Sequence, residues 1–269
     1  MLGSLVSASQ RFRALVRQHG PRHALTAARD ALLLRLERRA DREWDRKHGV
    51  DTCGVTHLGH LEVEGENLAQ GVEYDPTPVR LLAATLRRLP GAEGFTFVDY
   101  GSGKGRALFV AAEFPFRRLI GVEFARELHD AAVRNLASYR NPRRRCREIR
   151  PLLTDALRFA IPDEPCVLYF YTPFKAPLVR KVLDLVAASY AQNPRPMYVV
   201  YAFESPYHLT LYGAIDGFTG VPLRQTLWSR LFPGRVKVLV YGTRETAGAA
   251  RRARTRARRT VLAWTIREK

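Results

Sequence analysis

The residues Phe97-Val98-Asp99-Tyr100-Gly101-Ser102-Gly103-Lys104-Gly105-Arg106 carry the densest chemistry in this chain. An apolar strand runs into three alternating glycines, and a helix is expected to follow. Gly121-Val122-Glu123 then closes the next strand with an acid 24 positions after Asp99. Glycine lets a sharp strand-to-helix turn take positive φ and lets a ligand approach the backbone. An acid at the tip of the neighbouring strand can accept hydrogen bonds from ribose hydroxyls. The layout is that of an adenosine-binding cleft, with Asp99, Tyr100, Gly101, Ser102, Gly103, Gly105 and Glu123 as its candidate cofactor residues. Glu123 has a plainer alternative use, a surface ion pair with Arg118 or Arg126.

Spacing separates the ligand classes that use such turns. A phosphate-binding loop requires G-x-x-x-x-G-K-[ST], and Gly103-Lys104 is followed by Gly105 where a hydroxyl would be needed. A dinucleotide turn, G-x-G-x-x-G/A, puts its third small residue at Arg106, which is large and charged. An acid at Asp99 would repel a pyrophosphate. It suits a ligand that carries an ammonium and a sulfonium.

Asp99-Tyr100-Gly101-Ser102-Gly103-Lys104-Gly105 resembles the first motif of class I S-adenosylmethionine-dependent methyltransferases, and Gly121-Val122-Glu123 resembles the second. The wording is similar to non-SET histone-lysine methyltransferases. It is also similar to bacterial class I methyltransferases with a Y-x-P-T-P segment upstream, here Tyr74-Asp75-Pro76-Thr77-Pro78. The resemblance spans roughly residues 40 to 242. It implies a Rossmann-like α/β fold, a mostly parallel seven-stranded sheet with a terminal antiparallel hairpin, and S-adenosylmethionine as cofactor. It implies that Asp99 serves the methionine part of the cofactor, that Asp155 with Ala156 serves the adenine, and that Tyr74 and Thr77 fold over the ligand. Asp155 is equally suited to cap a short helix, and Thr77 to cap the helix that follows it. At the end of the fourth strand the resemblance implies an acceptor site at Tyr171 and Thr172, with Glu204 facing it. Thr172 stands where relatives carry a polar amide or acid, which departs from a nucleobase-amine pattern. The acceptor expected is a protein lysine or a small molecule, admitted through a channel of Tyr74, Tyr169 and Tyr171. The competing expectation is a catalytically degenerate module of the same fold that binds nucleic acid through its basic ends.

These motifs need elements to position them. Helices are expected over 4–18 and 22–46, broken at Gly20-Pro21, with Leu25, Ala28, Leu32 and Leu36 forming a stripe that would pack on the body. Further helices are expected at 77–88, 104–114, 125–139 and 177–190. Strands are expected at 95–100, 118–123, 147–153, 166–171 and 197–203, and a final pair at 222–228 and 235–242 around Pro233-Gly234. Alternation of strand and helix implies a parallel sheet covered on both faces.

The net charge of +18 is uneven. Residues 1–50 contribute +6, residues 51–243 contribute +5, and residues 244–269 contribute +7. The reading is a basic helical extension (1–50), a methyltransferase domain (51–243) and a basic tail (244–269), with polyanion contact through the ends. Arginine outnumbers lysine 38 to 6, a bias that also suits a GC-rich genome. Arg143-Arg144-Arg145 reads as a solvated turn. Cys53, Cys146 and Cys166 are few and widely spaced, which points to free thiols in a reducing cytoplasm. No cluster has metal-ligand spacing, so no metal is expected. No apolar run reaches the roughly 18 residues needed to cross a bilayer.

Overall fold

The computed structural model describes residues 8–56, 73–203, 215–221, 236–246 and 248. The chain divides into two compact units, Met1–Lys47 and His48–Lys269. In the first, Gly20 separates α1 (Ala8–His19) from α2 (Pro21–His48). Gly20 takes φ 83°, which ends α1, and Pro21 opens α2, where its missing N–H leaves no bond unmade. Leu25, Ala28, Leu32 and Leu36 all lie within α2, as their helical spacing implied. Periodicity reveals that a helix has an apolar face and is silent on what meets it.

The second unit is built on strands β1 (Thr96–Tyr100), β2 (Arg118–Glu123), β3 (Ile149–Leu153), β4 (Cys166–Tyr171), β5 (Met197–Phe203), β6 (Thr219–Gly220) and β7 (Lys237–Gly242). They form one sheet in the order β3-β2-β1-β4-β5-β7-β6. The first five run parallel, and β7 is antiparallel to both neighbours. The antiparallel strand was expected; its expected partner at 222–228 lies outside the described residues, and Thr219–Gly220 pairs with β7 instead. Every position of β1 and β5 is buried, as strands covered on both faces require.

Side chains alternate across the sheet and define two layers. Val98, Tyr100, Val122, Leu168, Phe170 and Val199 pack with Leu178, Val182 and Val186 of α6 (Ala176–Gln192) in one apolar cluster. The alternate positions of β1, Phe97 and Asp99, point to the other face. There α4 (Arg106–Ala111) contacts β1 and β2 and packs on α3 (Val79–Leu86), while α5 (Arg126–Ser138) contacts β2 and β3. From β1 the chain moves outward through β2 to β3, then returns to place β4 on the other side of β1. That reversal opens a crevice at the carboxyl ends of β1 and β4, where open α/β sheets bind ligands.

Gly121 shows how closely the second layer sits. A Cβ at this position would lie 2.7 Å from the Ser102 hydroxyl and 2.8 Å from a Leu108 methyl. Gly121→Ala should therefore push the glycine turn and α4 off β2 and cost about 1–3 kcal/mol of stability, the usual range for overpacking. Urea denaturation of the variant is the measurement; an unchanged midpoint would mean that α4 does not depend on this clearance.

Candidate functional site

After β1, Gly101, Gly103 and Gly105 take φ of 74°, 52° and 87°. These left-handed conformations let the chain reverse within a few residues and enter α4. The turn is tied to the next strand, because the Gly101 and Ser102 amides both donate to the Val122 carbonyl, at 2.9 and 3.1 Å. The space left by the missing side chains is filled from elsewhere in the chain. A Cβ on Gly101 would lie 2.5 Å from Pro173 Cβ, and one on Gly103 would lie 2.1 Å from a Tyr74 ring carbon. Tyr74 is fixed in this position. Its hydroxyl donates to the Thr52 carbonyl at 2.7 Å, and Lys104 Nζ lies 5.6 Å from its ring centroid.

Two carboxyl groups flank the turn. Glu123, 3% exposed, accepts from the Gly103 amide through Oε2 at 2.8 Å. Its Oε1 accepts from the Phe124 and Ala125 amides at 3.0 and 2.9 Å. A carboxylate offers about four accepting positions, so about one is left for a ligand hydroxyl. The surface pairing with Arg118 does not form; that arginine bonds Glu164. Asp99, also 3% exposed, sits between Gly121 and Tyr169 in the strand register, and no described residue hydrogen-bonds its carboxyl. Burial, reinforced by the charge of Glu123, pushes Asp99 up to about 8. Burial raises Glu123 too, but its three backbone N–H donors favour the ionised form. Of the two, Asp99 holds the proton.

A cleft opens beside this pair at the tips of β2 and β3, lined by Val122, Phe124, Thr154, Asp155, Ala156, Phe174 and Leu178. Asp155 and Ala156 were expected here. Asp155 Oδ1 accepts from the Leu157 amide at 2.7 Å, but residues 156–158 form a turn and not the short helix of the alternative reading. Phe124, Phe174 and Leu178 were missed. Phe124 directly follows the Glu123 motif, and that adjacency was the available signal; Phe174 comes from the β4–α6 connection and Leu178 from the first turn of α6, which only the fold brings near β2.

Other expected residues sit elsewhere. The Tyr100 ring is buried on the α6 face, stacked on Phe170 at 4.7 Å, so only its backbone belongs to the turn. The Ser102 hydroxyl is buried without a hydrogen-bond partner against Gly121. The Thr77 hydroxyl does not cap α3, whose N-cap is Pro78; it pairs with the Tyr169 hydroxyl at 2.6 Å. Tyr169 is 1% exposed and Tyr74 lies flat on the turn, so these two do not line an open channel. Tyr171 and Thr172 are half-buried at the end of β4. Thr172 has φ 41° and is the one described non-glycine residue with positive φ, held by its amide donating to the Ala202 carbonyl at 3.1 Å. Glu204 lies outside the described residues.

No protein-family model matches the chain, and no curated protein matches it. Among solved structures it is similar to the 23S rRNA methyltransferase ErmE, with 15% identity over 64% of this chain and 69% of that one, at a TM-score of 0.42. It is similar to a ribosomal protein L11 methylase from Lactobacillus delbrueckii subsp. bulgaricus, with 15% identity, coverage of 62% and 78%, and a TM-score of 0.43. A third similar structure is an RNA methyltransferase from Salinibacter ruber in complex with S-adenosyl-L-homocysteine, with 19% identity, coverage of 63% and 92%, and a TM-score of 0.37.

Asp99 ties stability to pH. Between the ordinary aspartate range and about pH 8 the folded protein keeps a proton that the unfolded chain has released, so stability falls as pH rises through that window. Between pH 6 and 8.5 the wild type should lose roughly 2–3 kcal/mol more than Asp99→Asn in paired urea titrations. Parallel losses in the two proteins would place the proton elsewhere. At Thr172, substitution by Asn, which tolerates left-handed backbone better than a β-branched residue, should raise stability by about 0.5–1 kcal/mol. A lower thermal midpoint for Thr172→Asn would show that the threonine side chain outweighs its backbone strain.

Proposed function

We propose that the protein is a class I S-adenosylmethionine-dependent methyltransferase, with residues 51–243 as its catalytic domain. The observation that carries this reading is Asp99: a buried carboxyl at the strand tip, beside a glycine turn, that no described residue hydrogen-bonds. An α-ammonium on a ligand would supply the missing partner. Glu123 has an accepting position for a ribose hydroxyl, and the cleft of Phe124, Asp155, Ala156 and Phe174 offers an aromatic, partly polar slot for a purine. When bound, S-adenosylmethionine supplies an electrophilic methyl group on a sulfonium. The remaining work is alignment and exclusion of water, which a strand-tip crevice can provide without a strong base.

Tyr171 and Thr172, at the end of β4, and Glu204 after β5, are the residues proposed to face the methyl acceptor. A neutral amine, of a protein lysine or a small molecule, is the acceptor this reading favours, with half-buried Tyr171 disfavouring the charged ammonium. The three cysteines form no disulfide among the described residues, which fits a reducing cytoplasm.

One observation favours the alternative of a degenerate module. Tyr74 and Pro173 fill the space above Gly103 and Gly101, so protein packing by itself accounts for two of the three glycines. Calorimetric titration with S-adenosylhomocysteine separates the two readings. The wild type should bind, and Asp99→Ala and Glu123→Ala should each lose at least roughly tenfold in affinity while keeping their fold. Because the ligand ammonium favours ionised Asp99, wild-type affinity should climb between pH 6 and 8, by up to about tenfold per unit. No heat of binding at any pH would leave the degenerate module standing.

A further inference from the structure

The net charge of the second unit hides a concentration. Residues 139–150 hold six arginines (140, 143, 144, 145, 147 and 150) against the single carboxylate Glu148. The rest of 51–243 holds 18 basic and 18 acidic side chains, so this short segment accounts for the whole excess. A genome-wide preference for arginine over lysine does not cluster charge in this way.

The segment is held as a rigid platform. The Arg145 and Cys146 amides both donate to the Ala112 carbonyl, at 2.7 and 3.1 Å, and Cys146 is buried. Around that anchor Arg143, Arg145, Arg147 and Arg150 are exposed. Arg144 is preorganised: it donates to the Cys146 and Arg147 carbonyls and its guanidinium lies 5.8 Å from the Tyr139 ring centroid. Arg144, Arg147 and Asn141 line a groove. Arg143 pairs with Glu113 at 3.2 Å and Arg150 with Glu148 at 2.8 Å, but no described carboxylate pairs with Arg140, Arg145 or Arg147. The platform leads into β3, the free edge of the sheet, whose opposite end carries the Asp155 cleft, roughly 16 Å away for a five-residue strand.

We propose that this platform docks the sugar–phosphate backbone of a nucleic acid. Guanidinium groups match phosphate oxygens two at a time, and cations repeated along one anchored stretch of backbone suit a polymer of repeated anions. A protein partner would call for an apolar or aromatic centre, and a membrane surface for apolar anchors; the groove offers neither. The inference stands apart from the cofactor reading and from the basic ends.

Fluorescence anisotropy of the full chain with labelled RNA and DNA hairpins of equal sequence tests it. Arg145→Glu/Arg147→Glu should weaken binding of at least one hairpin by about tenfold or more and lower the slope of log K against log salt by about 2. Arg80→Glu/Arg87→Glu changes net charge equally at exposed positions near α3 and should stay within about threefold of wild type. S-adenosylhomocysteine titration and thermal midpoints should be unchanged in both variants, which keeps failure of the cofactor reading distinguishable. Equal losses in the two variants, no loss in the first, or displacement of RNA by polyglutamate at matched charge would overturn the proposal.

Discussion

Two carboxyl groups buried at one glycine turn disfavour each other's charge unless a cation joins them, and the tips of β1 and β2 are arranged around that constraint. The protein resolves it unequally. Glu123 receives three backbone amides, one from the turn and two from the start of α5. Asp99 receives none from the described residues, and its burial beside Glu123 favours the protonated form near neutrality. Much of the local geometry serves this asymmetry. The left-handed φ of Gly103 brings its amide to Glu123, and the extended Ala125 lets two successive N–H groups turn back onto one oxygen. A carboxyl satisfied by its own backbone is a fixed part of the wall. A carboxyl left unsatisfied is held ready for something that is not protein.

The glycines show why a short motif can be read correctly and still be read incompletely. Positive φ at 101, 103 and 105 was legible from residue type and spacing. That Tyr74 and Pro173 would occupy the vacated space was not, because each comes from a distant part of the chain and reaches the turn only after α3 and β4 are in place. The same limit governs Thr77 and Tyr169. Their residue types suggested a cap and a channel lining, whereas the fold joins them as a buried hydroxyl pair, with Tyr169 set beside Asp99 by the register of β1 with β4. Local chemistry ranks what a side chain can do, and tertiary contacts select among the options.

Strand positions were the most legible layer. Runs such as Cys166–Tyr171 and Met197–Phe203 are apolar throughout, and only a strand covered on both faces uses that pattern at such length. Helix ends were less so. The helix after the glycine turn spans only Arg106–Ala111, since the turn consumes Lys104 and Gly105 and the chain leaves the helix well before Pro115. The leucines of α2 lie in the helix that their period implied.

Charge was legible in total and misleading in distribution. Summed over the central region it is small, which made the basic ends look like the whole story and Arg143-Arg144-Arg145 look like a solvated turn. Arg143 and Arg145 are exposed there, as that reading had it; what the fold adds is an anchor, the Arg145 and Cys146 amides on the Ala112 carbonyl, which displays the arginines from one stretch of backbone. An edge strand also benefits from charge for a purely defensive reason, since Arg150 and Pro151 discourage pairing with another sheet. Defence, however, needs charge on the strand itself. Arg143, Arg145 and Arg147 precede the first ladder position of β3, where they protect no open hydrogen-bonding groups of the edge. Their position at the opposite end of the strand from the ligand cleft is the arrangement expected of a surface that holds a long partner at one point while leaving the cleft free.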